Sequence, residues 1–83
     1  MYEIIFRNPA KRFLRVLDKN IQEKLLEKIE KLKTNSRIGK PLRGKLKGLW
    51  SLRYDYYRIL YKIKDLKLIV YIMNIGHRKN IYG

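Results

Sequence analysis

At 83 residues, with 46% hydrophobic content, the chain has room for one folded domain, 1–83, and too much apolar character for a disordered tail. It has no cysteine, which excludes disulfides and thiolate metal sites. Against 7 Asp+Glu stand 21 Lys+Arg, a net charge of +14, far more than solubility requires and enough to draw a polyanion.

The segment YEIIFR, 2–7, alternates and is rich in β-formers, so it predicts a first strand. NPAKRFLRVLDK follows, with Asn8 as cap and Pro9 in the first turn. Ala10, Phe13, Leu14 and Leu17 form its apolar stripe. NIQEKLLEKIEKLKTNS predicts a second helix. Asn20 and Glu23 resemble a capping box, and Ile21, Leu25, Ile29 and Leu32 form the buried stripe. Residues 36–48 hold three glycines, one proline and the cations Arg37, Lys40, Arg43, Lys45 and Lys47, with no acid, and read as a loop. Two strands follow, 49–54 and 56–63, joined tightly near Asp55. A third, 66–75, is apolar on both faces and should lie inside the sheet, with the N-terminal strand on its far side. The order βααβββ predicts an α+β domain: two N-terminal helices packed on one face of a small, mostly antiparallel sheet.

Periodicity assigns the faces. Trp50, Leu52 and Tyr54, with Tyr57, Ile59, Tyr61 and Ile63, belong to the core side. Leu49, Ser51 and Arg53, with Tyr56, Arg58, Leu60 and Lys62, belong to the opposite, open side. Two arginines are thus held on rigid strands rather than displayed on loops. A guanidinium is a planar fork suited to phosphate oxygens. The tail adds Arg78 and Tyr82, with His77 and Lys79 beside them. Arg58 and Arg78 could hold one phosphate while Tyr82 stacks on a base. After Glu30 the only acids are Asp55 and Asp65, so a purely ion-paired surface is poorly supplied.

The composition favours nucleic acid as the polyanion. An acidic protein is also compatible. A membrane surface fits poorly, since no helical stretch joins a basic face to exposed Trp or Phe. No apolar run is long enough to span a bilayer, and MYEIIFRN meets a charge too early for a signal peptide. The expectation is a cytoplasmic protein. The usual catalytic kits are missing: one histidine, no carboxylate cluster for Mg²⁺ and no Gly-rich phosphate loop. Phosphodiester transfer within RNA tolerates this, because the 2′-OH is an internal nucleophile that needs orientation and charge neutralisation. No cofactor is expected.

The pieces LRG at 42–44, LW-LR at 49–53, YRILY at 57–61 and IGHRKNIY at 75–82 resemble, in this order and spacing, the RelE/ParE superfamily of toxin–antitoxin toxins. The resemblance implies the βααβββ fold and a toxin silenced by a cognate antitoxin. For RelE-type members it implies metal-independent cleavage of mRNA in the ribosomal A site. By resemblance Arg58 steadies the scissile phosphate, Arg78 assists the leaving group and Tyr82 stacks on or orients the base. Arg53 falls at one of two strand positions that are basic in the best-known RelE enzymes. The other is Ser51, which is not basic and leaves the general base open, with Lys45 and Lys47 in the preceding loop as substitutes. Arg43, Lys45, Lys47, Lys79 and His77 complete the expected RNA-binding set. The competing readings are a ParE-like toxin that inhibits DNA gyrase without cutting, and a plain RNA-binding module.

Overall fold

The computed structural model describes residues 1–79. Its elements are β1 (Glu3–Phe6), α1 (Asn8–Arg15), α2 (Lys19–Glu30), β2 (Lys40–Pro41), β3 (Trp50–Tyr54), β4 (Tyr57–Lys64) and β5 (Ile69–His77). The strands form one sheet in the order β1-β5-β4-β3-β2, with β1 parallel to β5 and every other pairing antiparallel. The expected α+β arrangement is present, and β5 lies inside the sheet with β1 beyond it. Among the described residues no helix is long and apolar enough to cross a membrane.

The helices start ahead of the predicted caps, α1 by one residue and α2 by two. Arg7 is the extended residue before α1 and supplies no side-chain bond, so Asn8 is already helical and Pro9 fills the first turn. Asp18, not Asn20, caps α2: its carboxylate accepts from the Asn20 N–H at 3.2 Å. An anion just ahead of the helix meets both the orphan donors and the positive end of the dipole, so the Asn20–Glu23 box is not used. Gln22 Nε2 donates to the Leu14 carbonyl at 2.8 Å, a second bond to an oxygen that already accepts from the Leu17 N–H at 3.2 Å at the end of α1.

Both helices cover one face of the sheet. Ala10, Leu14, Leu25, Ile29 and Leu32 close over Leu52, Tyr57, Ile59, Tyr61, Val70, Ile72 and Ile75. Each fully buried aliphatic side chain of this kind is worth about 1.5–3 kcal/mol. Trp50, Tyr54 and Ile63 pack around this cluster, so the strand faces match the alternation in the sequence.

Three features depart from the predicted layout. Among the described residues the sheet has five strands rather than four, because Lys40–Pro41 pairs with β3 at the edge. Two residues are too few to show alternation, and an edge is where a sheet tolerates proline. β5 begins at Ile69 rather than residue 66: a short 3₁₀ turn, Asp65–Lys67, and Leu68 in a left-handed conformation (φ 54°) take up the link. β5 also carries a bulge. Leu60 pairs with Asn74 but Tyr61 pairs with Ile72, so Met73 is the extra residue and the buried set changes parity from Val70 and Ile72 to Ile75. Asn74 Oδ1 accepts from the Ile75 N–H at 2.9 Å beside the bulge.

Candidate nucleic-acid site

The β-ladder brings the strand arginines together. Arg53 is directly opposite Arg58, and Arg58 is opposite Gly76 on β5. Cross-strand partners share a face, so two guanidinium groups leave the sheet side by side, away from the helices. Arg53 is exposed; Arg58 is half-buried, with its Nε buried. Glycine at position 76 puts no side chain on the β5 flank of Arg58.

The next row of the same face runs Lys40, Ser51, Leu60, Asn74. Here the expectation of an open face needs correction. Ser51 is 8% exposed and Leu60 6%, although both point away from the helical core. The face therefore has a closed middle row and a basic margin, and Ser51 is not a surface group.

A cavity of about 350 Å³ lies at the β3 edge, where the two-residue β2 leaves β3 uncovered. Lys28, Gly39, Lys40, Ser51, Arg53 and Arg58 are among the residues lining it, and no described lining residue is an acid. Lys28 and Lys40 are the members that sequence reasoning missed. Lys28 belongs to the polar side of α2, remote in the chain from the strands. Lys40 stood among the loop cations, and nothing marked it as a strand residue facing Ser51.

The tail residues occupy a neighbouring hollow. The Arg78 N–H donates to the Tyr56 carbonyl at 2.9 Å, which fixes the chain as it leaves β5. Tyr56, Tyr57, His77, Arg78 and Lys79 line a space of about 400 Å³. The His77 ring packs on Tyr57 at 5.0 Å and meets the edge of Phe13 at 6.1 Å, so it sits on the helical side. Arg58 and Arg78 line different hollows. Arg78 lies two residues past the partner of Arg58, so strand geometry puts their Cα atoms roughly 8 Å apart. Two long side chains of this kind can converge on one phosphate. Tyr82 lies outside the described residues.

The loop cations are elsewhere. The Leu42 N–H donates to the Leu49 carbonyl at 2.9 Å and closes a hairpin, with Gly44 and Gly48 at φ 65° and 98°. Arg43, Lys45 and Lys47 are exposed on this hairpin. From Leu49 to Arg53 is four strand residues, roughly 13 Å. The structure thus places Lys45 and Lys47 at the other end of β3 from Arg53.

That other end is a clasp. The buried Tyr61 hydroxyl donates to the Ser36 carbonyl at 2.8 Å and accepts from the Gly39 N–H at 3.1 Å, pinning the segment that forms the cavity wall. Burial pushes the Tyr61 phenol above its ordinary pKa, against a smaller opposing pull from the Gly39 hydrogen bond. Trp50 stacks on Tyr61 with ring centroids 6.2 Å apart. The Arg37 guanidinium lies 5.9 Å over the Trp50 ring and pairs with Asp65 at 2.7 Å. Tyr2 donates its hydroxyl hydrogen to the other Asp65 oxygen. The bond from Arg37, then that from Tyr2, holds the Asp65 carboxyl below the usual carboxylate range.

Residues 4–82 match the family model described as ParE toxin of type II toxin–antitoxin system, parDE. Toxin RelG of Mycobacterium tuberculosis is 36% identical over 98% of this chain and 95% of its own length. Toxin RelE of the same organism is 35% identical over 98% and 86%. Among solved structures, the toxin–antitoxin complex RelBE2 from M. tuberculosis contains a chain that superposes with a TM-score of 0.85 at 37% identity, covering 93% of this chain and 98% of that one. The intact Escherichia coli RelBE complex gives 0.81 at 26% identity, covering 93% and 96%. The chain therefore belongs to the ParE toxin family of type II toxin–antitoxin systems, and within the wider RelE/ParE superfamily it is a toxin of RelE type.

Proposed function

We propose that this toxin is a ribosome-dependent endoribonuclease that cuts mRNA in the ribosomal A site and is held inactive by a cognate antitoxin. The observation that carries the reading is the Arg53–Arg58 pair, fixed side by side on the ladder at a cavity with no acid lining it among the described residues. A 2′ oxygen attacks the adjacent phosphorus, the P–O5′ bond breaks, and the ends are a 2′,3′-cyclic phosphate and a 5′-OH. One proton leaves the 2′ oxygen for solvent and one reaches the 5′ oxygen. Arg53 and Arg58 neutralise the charge that grows on the non-bridging oxygens, and Arg78 faces the departing 5′ oxygen. Among the described residues no three His, Cys, Asp or Glu side chains come together, so the donor set offers no evident metal seat.

The antitoxin follows from the relatives and from charge. RelBE2 of M. tuberculosis and RelBE of E. coli are toxin–antitoxin complexes. A partner for a +14 surface should bring acidic groups to it.

Single-turnover cleavage on programmed ribosomes tests the reading. Defined cuts with 2′,3′-cyclic ends are expected, and they should survive chelation once the ribosome's own Mg²⁺ need is met. A 5′-phosphate product would mean that water attacked, contrary to the mechanism. Intact mRNA with inhibited gyrase supercoiling would replace it with the ParE-like reading; binding without either would leave an RNA-binding module.

A further inference from the structure

The row of the sheet next to the arginines carries its cation in an unexpected place. Ser51 is two residues from Arg53 on the same face, yet it is nearly buried and brings no charge. Its ladder partner on β2 is Lys40. Cross-strand partners sit about 5 Å apart and point to one face, so Lys40 leaves the sheet on the side of Arg53 and Arg58. Lys40 is exposed and lines their cavity. Strand spacing separates its row from theirs by roughly 7 Å. Lys28 enters the same space from α2. Four cations around about 350 Å³, with no acid among the described lining residues, make a positive field that attracts an anion.

The geometry points to Lys40 as a further phosphate-contacting residue: its ammonium, presented across the ladder from Ser51, donates to a non-bridging oxygen of the phosphate that Arg53 and Arg58 hold. The arginines supply forked, directional donors. Lys40 supplies a compact charge from the β2 edge, the side of the cavity that neither arginine covers. Gly39 is what lets this happen. A Cβ there would lie 2.5 Å from the Ser51 carbonyl oxygen, so only glycine lets the chain come close enough for Lys40 to face Ser51. The assignment rests on the nuclease reading above, and it separates Lys40 from the hairpin cations, which stand at the other end of β3.

The test compares Lys40→Gln with Lys45→Gln, which removes the same charge beyond the far end of the strand. Single-turnover cleavage on programmed ribosomes should show Lys40→Gln losing on the order of 30- to 100-fold in maximal rate at saturating toxin. Lys45→Gln should mainly raise the half-saturating concentration, by a few-fold and in a salt-dependent way. Lys40→Arg should stay within about fivefold of wild type, since it keeps the charge. Equal losses for Lys40→Gln and Lys45→Gln overturn the assignment and leave the nuclease reading standing. A Lys40→Arg as poor as Lys40→Gln also overturns it, by showing that β2 packing matters rather than charge. If wild-type toxin does not cut programmed ribosomes, the nuclease reading fails, and titration with a 2′-O-methyl RNA trinucleotide decides whether Lys40 contacts phosphate. NMR shifts at Lys40, with weaker binding by Lys40→Gln than by Lys45→Gln, support the contact; equal binding by the two variants overturns it.

Discussion

The two ends of this sheet use the same residue types for opposite purposes. Where β3 begins and β4 ends, Arg37 has an acid, Asp65, and an aromatic face, Trp50. The Tyr61 hydroxyl both donates and accepts, and Tyr2 closes onto Asp65. The Arg37 and Asp65 charges meet there, and the cluster ties the residue before β1, the segment after α2 and the β4–β5 turn together. Where β3 ends and β4 begins, Arg53 faces Arg58, a like-charge pair that costs stability on its own. One end satisfies its polar groups internally. The other sets Arg53 and Arg58 side by side on rigid strands, where the proposed phosphate would be met, and the core beneath both ends offsets the like-charge repulsion.

If that division of labour is right, rate and stability should separate by position. Arg58→Ala and Arg78→Ala should each lower the single-turnover cleavage rate on the order of a hundredfold or more, since each removes a donor aimed at developing charge. Their melting temperatures should stay near wild type, and antitoxin binding should persist. Arg37→Ala should do the reverse, lowering the melting temperature while the maximal rate stays within a few-fold. Arg58→Ala cutting at the wild-type rate would remove the arginine end from the chemistry altogether.

The clasp should fail first at Gly39 and Tyr61. A Cβ on Gly39 would meet the Ser51 carbonyl oxygen at 2.5 Å and the Tyr61 hydroxyl at 2.7 Å, and the backbone oxygen cannot step aside cheaply. Gly39→Ala should destabilise by about 1–3 kcal/mol through overpacking. Tyr61→Phe leaves the Ser36 carbonyl and the Gly39 N–H without their shared partner, a loss of about 1–3 kcal/mol. Urea denaturation checks both. Because this segment walls the β3-edge cavity, Gly39→Ala should also slow cleavage, whereas a variant of the clasp remote from the wall, such as Tyr2→Phe, should not. Equal stability of wild type and Gly39→Ala would mean that the loop is not pinned as described.

Much of this was legible in the sequence, for identifiable reasons. Alternation in 49–63 assigned Leu52, Tyr57, Ile59 and Tyr61 to the core and Arg53 and Arg58 to the other side, because a half-buried strand repeats every two residues. A doubly apolar strand announced that β5 is interior. What stayed hidden was non-periodic. The bulge at Met73, the two-residue β2 and the Asp18 cap each depend on a single residue's geometry. Lys40 was hidden for the same reason: its importance comes from a partner eleven positions away, which only strand register reveals. The clasp was hidden because Tyr2, Arg37 and Asp65 meet only after folding. Tyr82, expected to stack on a base, lies outside the described residues.

The smallest effect is also the one that probes the clasp alone. Asp65 is exposed, so its pair with Arg37 is screened and contributes modestly. Its carboxyl is nevertheless held below the usual range, first by the Arg37 hydrogen bond and then by that of Tyr2. A depressed folded-state pKa means that the unfolded chain takes up the proton first as pH falls. The contribution of Asp65 is therefore fully present above the unfolded carboxylate value of about 3.9, and is lost as the solution is acidified through the lower folded value. Subtracting the melting curve of Asp65→Asn from that of wild type cancels the other carboxylates. The difference should be flat from about pH 5 upward and shrink towards zero in stronger acid. It should also shrink as salt rises to about 1 M, where the screening length falls to about 3 Å. A difference that grows in acid would mean that the carboxyl is held above its ordinary value, and the contrast between a neutralised end and a charged one would have to be redrawn.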